Sequence, residues 1–167
     1  MALISEGRFI EDSWRRLADE ESLPKGGKCI VSESRLAEAT SALPADAPLG
    51  VFLANTADPA KLAPYLSRLT LVAVAFPAHT DGRGFSLARL LRRAGFRGEL
   101  RASGRLVADQ ATHALRCGFD TIEIASDIAS RQDAAQWSAA LSAYGAFYQQ
   151  GYASRETILE ERRKARG

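Results

Sequence analysis

Eight arginines and no lysine occupy residues 83–116, at positions 83, 89, 92, 93, 97, 101, 105 and 116, against only two acids, Glu99 and Asp109. A surface tuned for solubility alone mixes lysine with arginine and intersperses carboxylates. Arginine to the exclusion of lysine points to forked recognition of oxyanions or carboxylates, because a planar guanidinium offers paired N–H donors that an ammonium does not. Just upstream stands Asp81-Gly82-Arg83-Gly84, a polar turn with two glycines. If a helix starts there, its first N–H groups are free and its positive end faces the turn, which favours an anion. Candidate anion ligands are therefore Gly82, Arg83, Gly84 and Ser86, joined by Arg101 and Arg105. Arg89, Arg92 and Arg93, on the exposed face of the same helix, and Arg97 just beyond it are candidates for docking an acidic partner. Asp81 is the candidate catalytic residue, with three roles open: helix cap, orienter of an arginine, or general base. His79 has the chemistry of a proton shuttle near neutral pH.

These residues need a strand before them and a helix under them. Residues 71–76, LVAVAF, form an apolar run that reads as a strand covered on both faces, and Pro77 ends its pairing. Beyond the turn, Leu87, Leu90, Leu91 and Ala94 share one helical face, and Gly95 closes the helix. The pattern then repeats. LRRAGFRGELRAS at 91–103 aligns with LRCGFDTIEIAS at 115–126 once one residue of slippage is allowed, each a helix end, a Gly-Phe cap and a short strand. Such repetition argues for βα units and a parallel sheet.

Earlier in the chain, residues 3–5 and 8–10 flank Glu6-Gly7 as a small hairpin, with Trp14 anchoring it. Strands are expected at 29–32 and 50–54, and helices at 33–42 and 60–69. Residues 134–148 carry Trp137, Leu141, Tyr144 and Tyr148 on one helical stripe, a packing face. Glu99 and Arg101 share a strand face and read as a structural ion pair. Asp109 suits the first turn of a helix, and His113, four residues on, is expected in solvent beside it. The expected fold is a single α/β domain over residues 1–150: a mostly parallel five-stranded sheet flanked by helices with a small N-terminal hairpin, or alternatively a partial β/α barrel. Residues 151–167 read as a helical or frayed tail.

In an open α/β sheet, ligands gather beyond the carboxyl ends of the strands. That edge would collect residues 32–34, 55–58, 79–86, 103–105 and 126–127, with Arg83, Arg101 and Arg105 converging on an oxyanion.

The whole chain of 167 residues carries a net charge of +2, too small to argue for nucleic acid. Its sign is uneven: residues 1–82 hold eight basic against eleven acidic groups, so the positive charge lies in the second half. No apolar run is long enough to span a membrane and no signal-peptide pattern opens the chain, so a cytoplasmic location is expected. The two cysteines, Cys29 and Cys117, are far apart and lack the paired spacing of a zinc or iron–sulfur site. Cys29 precedes Ile30-Val31 and reads as core; Cys117, at a helix C-terminus, meets a dipole that disfavours its thiolate, opposed by Arg116. No metal, flavin or G-x-G-x-x-G signature is present, so no cofactor is expected.

The stretch FPAHTDGRGFSLARLLRRAGFRGELRAS and the following ADQATHALRCGFD resemble the uncharacterised bacterial family filed as domain of unknown function 934. The likeness is strong over residues 70–125 and weaker at RFIEDSW near the start. Asp81, Gly82, Arg83, Gly84, Ser86, Arg89, Arg92, Gly98, Glu99, Arg101, Asp109, Gln110 and 116–120 fall on its motif positions. Ala78 and His79 replace a usual lysine and aromatic, Phe85 a usual tyrosine, and Arg105 a usual acid. Genes of that family commonly lie beside assimilatory sulfite reductase genes, and its members carry the label probable oxidoreductase of sulfite reduction. The resemblance thus implies a bacterial protein of sulfur assimilation. Two functions from different classes follow: an accessory protein docking sulfite reductase or an acidic ferredoxin-like partner, or a small oxyanion-binding enzyme of oxidoreductase type built on the Asp-Gly-Arg-Gly loop.

Overall fold

A computed structural model of the chain describes residues 1–142. Its strands are β1 (Ala2–Ser5), β2 (Arg8–Ile10), β3 (Arg15–Arg16), β4 (Cys29–Ser32), β5 (Leu49–Leu53), β6 (Leu71–Phe76), β7 (Glu99–Gly104) and β8 (Thr121–Ile124). The helices are α1 (Leu36–Ala42), α2 (Pro59–Leu62), α3 (Arg83–Arg93), α4 (Ala111–Arg116), α5 (Ser126–Ala129) and α6 (Ala134–Ser142).

All eight strands join one sheet in the order β2-β1-β8-β7-β6-β5-β4-β3. Strands β3 to β8 are parallel to their neighbours, while β1 runs antiparallel to both β8 and β2. The five-stranded expectation is therefore too small, and the partial-barrel alternative fits: the sheet is curled into a half-barrel. Side chains report the curl directly. In a flat sheet β3 and β8 would lie about 24 Å apart, at roughly 4.8 Å per strand. Yet Arg16 of β3 donates to Glu123 Oε2 of β8 at 2.8 Å and to Ser103 Oγ of β7 at 3.2 Å.

Three strands, β1, β2 and β3, extend the sheet beyond the expected five. The hairpin at 3–10 is present, but β1 adds to the edge of β8 rather than standing apart. Strand β3 is two exposed arginines, with neither the length nor the alternation that marks a strand in sequence. It is held by its parallel pairing to Cys29 and Ile30. The loop that follows is fixed by Arg35, whose Nη1 donates to the carbonyls of Ala18 and Glu21 at 2.9 and 2.7 Å.

The two faces of the sheet differ in chemistry. The convex face carries Val31, Val51, Val72, Val74, Phe76, Leu100, Ala102 and Ile122 into the main core beneath the helices. The concave face has an apolar half, where Ile30, Leu71 and Ala73 pack with Trp14 and Phe52. Its other half is polar, because Arg101, Ser103, Thr121 and Glu123 are buried there on β7 and β8. Trp14 does anchor the N-terminal segment, and it does so across this concave face.

Both repeated caps form as the sequence indicates. Phe96 N donates to Leu91 O and Gly95 N to Arg92 O; Phe119 N donates to Ala114 O and Gly118 N to Leu115 O. This is the Schellman pattern. Gly95 and Gly118 supply it with φ of 94° and 103°, values that side-chain-bearing residues rarely adopt. The phenylalanines fold back into the core. Trp137 and Leu141 of α6 are buried as well, whereas Tyr144, Tyr148 and the tail at 151–167 lie outside the described residues.

Candidate functional site

Helix α3 starts at Arg83, directly after the Asp-Gly-Arg-Gly turn, so the strand–turn–helix geometry is as expected. The charge within the turn is not. Asp81 accepts from Arg83 three times: from its backbone N at 3.2 Å, Nε at 2.9 Å and Nη2 at 2.6 Å. The Arg83 guanidinium, helped by the Asn55 amide, holds the Asp81 carboxyl well below the usual carboxylate range. Asn55 Nδ2 forms no hydrogen bond of normal geometry and is buried. Asp81 thus caps the helix and orients the arginine, two of its three open roles. A carboxylate so stabilised is a poor proton acceptor, which argues against the third. Gly84 has a packing reason of its own, since a Cβ there would stand 2.5 Å from the Phe76 ring.

Arg83, Arg101 and Arg105 do not stand free around a common anion; each is held by acids of its own. Arg101 is only 1% exposed, deep in the concave face. Its Nη1 donates to Asp12 at 2.7 Å, and its Nε and Nη2 to Glu99 Oε1 at 3.0 and 2.9 Å. Thr121 Oγ1 donates to the same Glu99 oxygen at 2.7 Å. The Glu99–Arg101 pair expected from strand alternation is therefore real, and Asp12 completes it. Arg105 lies at the carboxyl ends of the strands, where its Nη2 donates to Asp127 at 2.8 Å.

Arg92 leaves the docking set. It is 8% exposed at its side chain and acts as a staple: Nε donates to Gly118 O, Nη1 to Phe96 O and Gly98 O, and Nη2 to Asp120 at 2.5 Å. Asp120 also accepts from Leu100 N at 2.7 Å. The arginine therefore ties both Gly-Phe caps and the start of β7 together, and explains the Arg-Cys-Gly-Phe-Asp run structurally.

Arg89, Arg93 and Arg97 differ from these. All three are exposed, and none forms an ion pair with a carboxylate among the described residues. Positions 86, 89, 90 and 93 fall on one face of α3, and Leu90 in their midst is 45% exposed. The result is a cationic strip with an apolar centre.

Beside that strip, a pocket of about 200 Å³ opens between α3 and α4, lined by Gly82, Phe85, Ser86, Arg89, His113 and Cys117. His113 is exposed, as expected, but is not paired with Asp109; its Nε2 lies 3.6 Å from Cys117 Sγ, and its ring meets Phe85 edge-on at 4.5 Å between centroids. Burial, then Arg89 and Arg116, hold His113 below its ordinary pKa. Burial pushes the Cys117 thiol up, opposed by Arg89, and pushes Cys29 up, opposed by Arg68 and Arg35. Both cysteines are fully buried, protonated core thiols. The sequence signal for the His113–Cys117 contact was their i, i+4 spacing on one helix. Asp12 and Arg16 gave no such signal, because their partners lie on β7 and β8.

Among the described residues no cluster of three or more His, Cys, Asp or Glu could hold a metal ion, and no helix is long and apolar enough to cross a membrane. Fold and site together define an α/β half-barrel whose concave cations are paired with carboxylates and whose outer helix layer carries exposed cations without a carboxylate partner among the described residues. The chain belongs to the family described as bacterial protein of unknown function (DUF934), whose model matches residues 50–159. That match covers β5 to α6 and thus every arginine of the cluster. No curated protein matches the chain.

Proposed function

We propose that this chain is an accessory protein of assimilatory sulfite reduction that docks sulfite reductase, or an acidic redox partner of it, through the outer face of α3. The observation that carries the reading is the pair Arg89 and Arg93 flanking exposed Leu90 on α3, with exposed Arg97 just past the helix's cap, cations without a carboxylate partner among the described residues. Exposed guanidinium groups steer an acidic surface into encounter and select against basic ones. An apolar side chain at the centre of such a strip supplies a point of desolvated contact. The sulfur-assimilation setting comes from the resemblance to a family encoded beside sulfite reductase. The oxyanion-enzyme alternative loses support because Asp81 already neutralises Arg83 in the loop it would use.

The test is binding of the purified chain to sulfite reductase and to acidic ferredoxin from the same host, at low and at physiological salt. Docking predicts saturable binding that weakens steeply as salt rises, since exposed charges are screened beyond roughly 8 Å at physiological ionic strength. Absence of binding to either protein at low salt refutes the proposal.

A further inference from the structure

The pocket between α3 and α4 borders the Asp-Gly-Arg-Gly turn at Gly82, but neither Asp81 nor Arg83 lines it, and it needs no protein partner. Its floor is apolar, made by buried Phe85 and the Cys117 thiol. Its polar lining is the Ser86 hydroxyl, the Arg89 guanidinium and the His113 imidazole, and no carboxylate is among the lining residues. His113 Nε2 faces Cys117 Sγ, which leaves Nδ1 as the nitrogen not engaged there. Fork, hydroxyl and imidazole around a space this size form a donor set with no acceptor charge to match it.

We propose that this pocket binds a small oxyanion, a sulfate, phosphate or carboxylate group, with Arg89 as the forked ligand and Ser86 and His113 as the flanking donors. The Phe85 ring and the thiol form the apolar floor on which the rest of a small organic anion rests. A bound anion also offsets what now disfavours a charged His113. The charged and titratable neighbours that act on it are Arg89 from α3 and Arg116 and Cys117 from its own helix, and none of them is acidic. Occupancy therefore raises the titration midpoint of His113, and binding tightens as the pH falls through that midpoint.

The chain has only two histidines, which makes the experiment compact. His79 lies in the loop before Asp81 and reports on that loop, while His113 reports on the pocket. The probe is sodium sulfate, titrated against sodium chloride at equal ionic strength while the ring C–H resonances of both histidines are followed by NMR. The expected result is a saturable shift of His113 and a rise in its titration midpoint with sulfate only. Arg89→Gln weakens sulfate at least about tenfold and Ser86→Ala by roughly threefold. Arg8→Gln, an exposed cation on β2, leaves the affinity unchanged. Three outcomes overturn the proposal: His113 moving equally in chloride, His79 moving in place of His113, or Arg89→Gln binding as well as wild type. Because no partner protein is present, these outcomes are independent of whether docking occurs.

Discussion

Arginine does opposite work on the two sides of this sheet. On the concave side, Arg16 reaches across the curl to Glu123 on β8, Arg101 pairs with Asp12 from the N-terminal segment and with Glu99 of its own strand, and Arg101 has lost contact with water. On the outer side, Arg89, Arg93 and Arg97 keep their solvent exposure and have no carboxylate partner among the described residues. The contrast teaches that a run of one residue type along the chain is not one surface. Strand alternation sends Arg101 inward, helix periodicity sends Arg92 under its own cap, and only the remainder is available for recognition.

If the concave cations are structural, removing Arg101 is the most damaging change. Arg101→Met leaves Glu99 and Asp12 facing a space without a countercharge, and breaking such a buried pair costs roughly 3 kcal/mol. Urea unfolding of the variant should show that loss in the midpoint with an unchanged slope. A midpoint near wild type would move Arg101 out of the structural group. Arg92→Gln comes next, at roughly 2 kcal/mol, because the Gly98 and Phe96 carbonyls and Asp120 lose their donor. The same unfolding experiment measures it. Arg16→Ala follows at about 1 kcal/mol, its side chain being 38% exposed while its partner Glu123 is only 10% exposed.

The smallest effect is on pH dependence and belongs to the outer layer. A histidine whose folded pKa is depressed binds protons more readily when unfolded, so its contribution to stability is present above the unfolded value and lost as pH falls below it. Thermal stability should therefore decline from about pH 7 towards pH 5, and His113→Gln should flatten that part of the profile. The depressed carboxyls of Asp81, Asp127 and Glu38 act lower, below their ordinary values of 3.8 and 4.5, so the two windows separate. An identical profile in His113→Gln would remove His113 from any electrostatic role.

Much of the fold was legible because its signals are local. The apolar run of β6, the Gly-Phe caps and the Glu99–Arg101 alternation are all set by neighbours within a few residues. Strand β3 and the curl were not, because Arg15-Arg16 owes its conformation to pairing with β4, and the side-chain contacts of Arg16 lie on β7 and β8. The site shows the same division. Asp81 as cap and orienter of Arg83 follows from two residues of separation, whereas the fates of Arg92 and Arg105 depend on Asp120 and Asp127, more than twenty residues away. Sequence displays the charges; tertiary contacts decide which of them are spent.

The most direct test pairs two readings on one variant, Arg93→Glu with Arg97→Glu: its affinity for the host's sulfite reductase or acidic ferredoxin, and its urea midpoint. Both positions are exposed and lack a carboxylate partner among the described residues, so stability should stay within about 0.5 kcal/mol of wild type. Affinity should fall at least about tenfold, which is 1.4 kcal/mol, and the salt dependence of binding should shrink. Unchanged affinity in a stably folded variant would contradict the claim that the outer face of α3 is a docking surface.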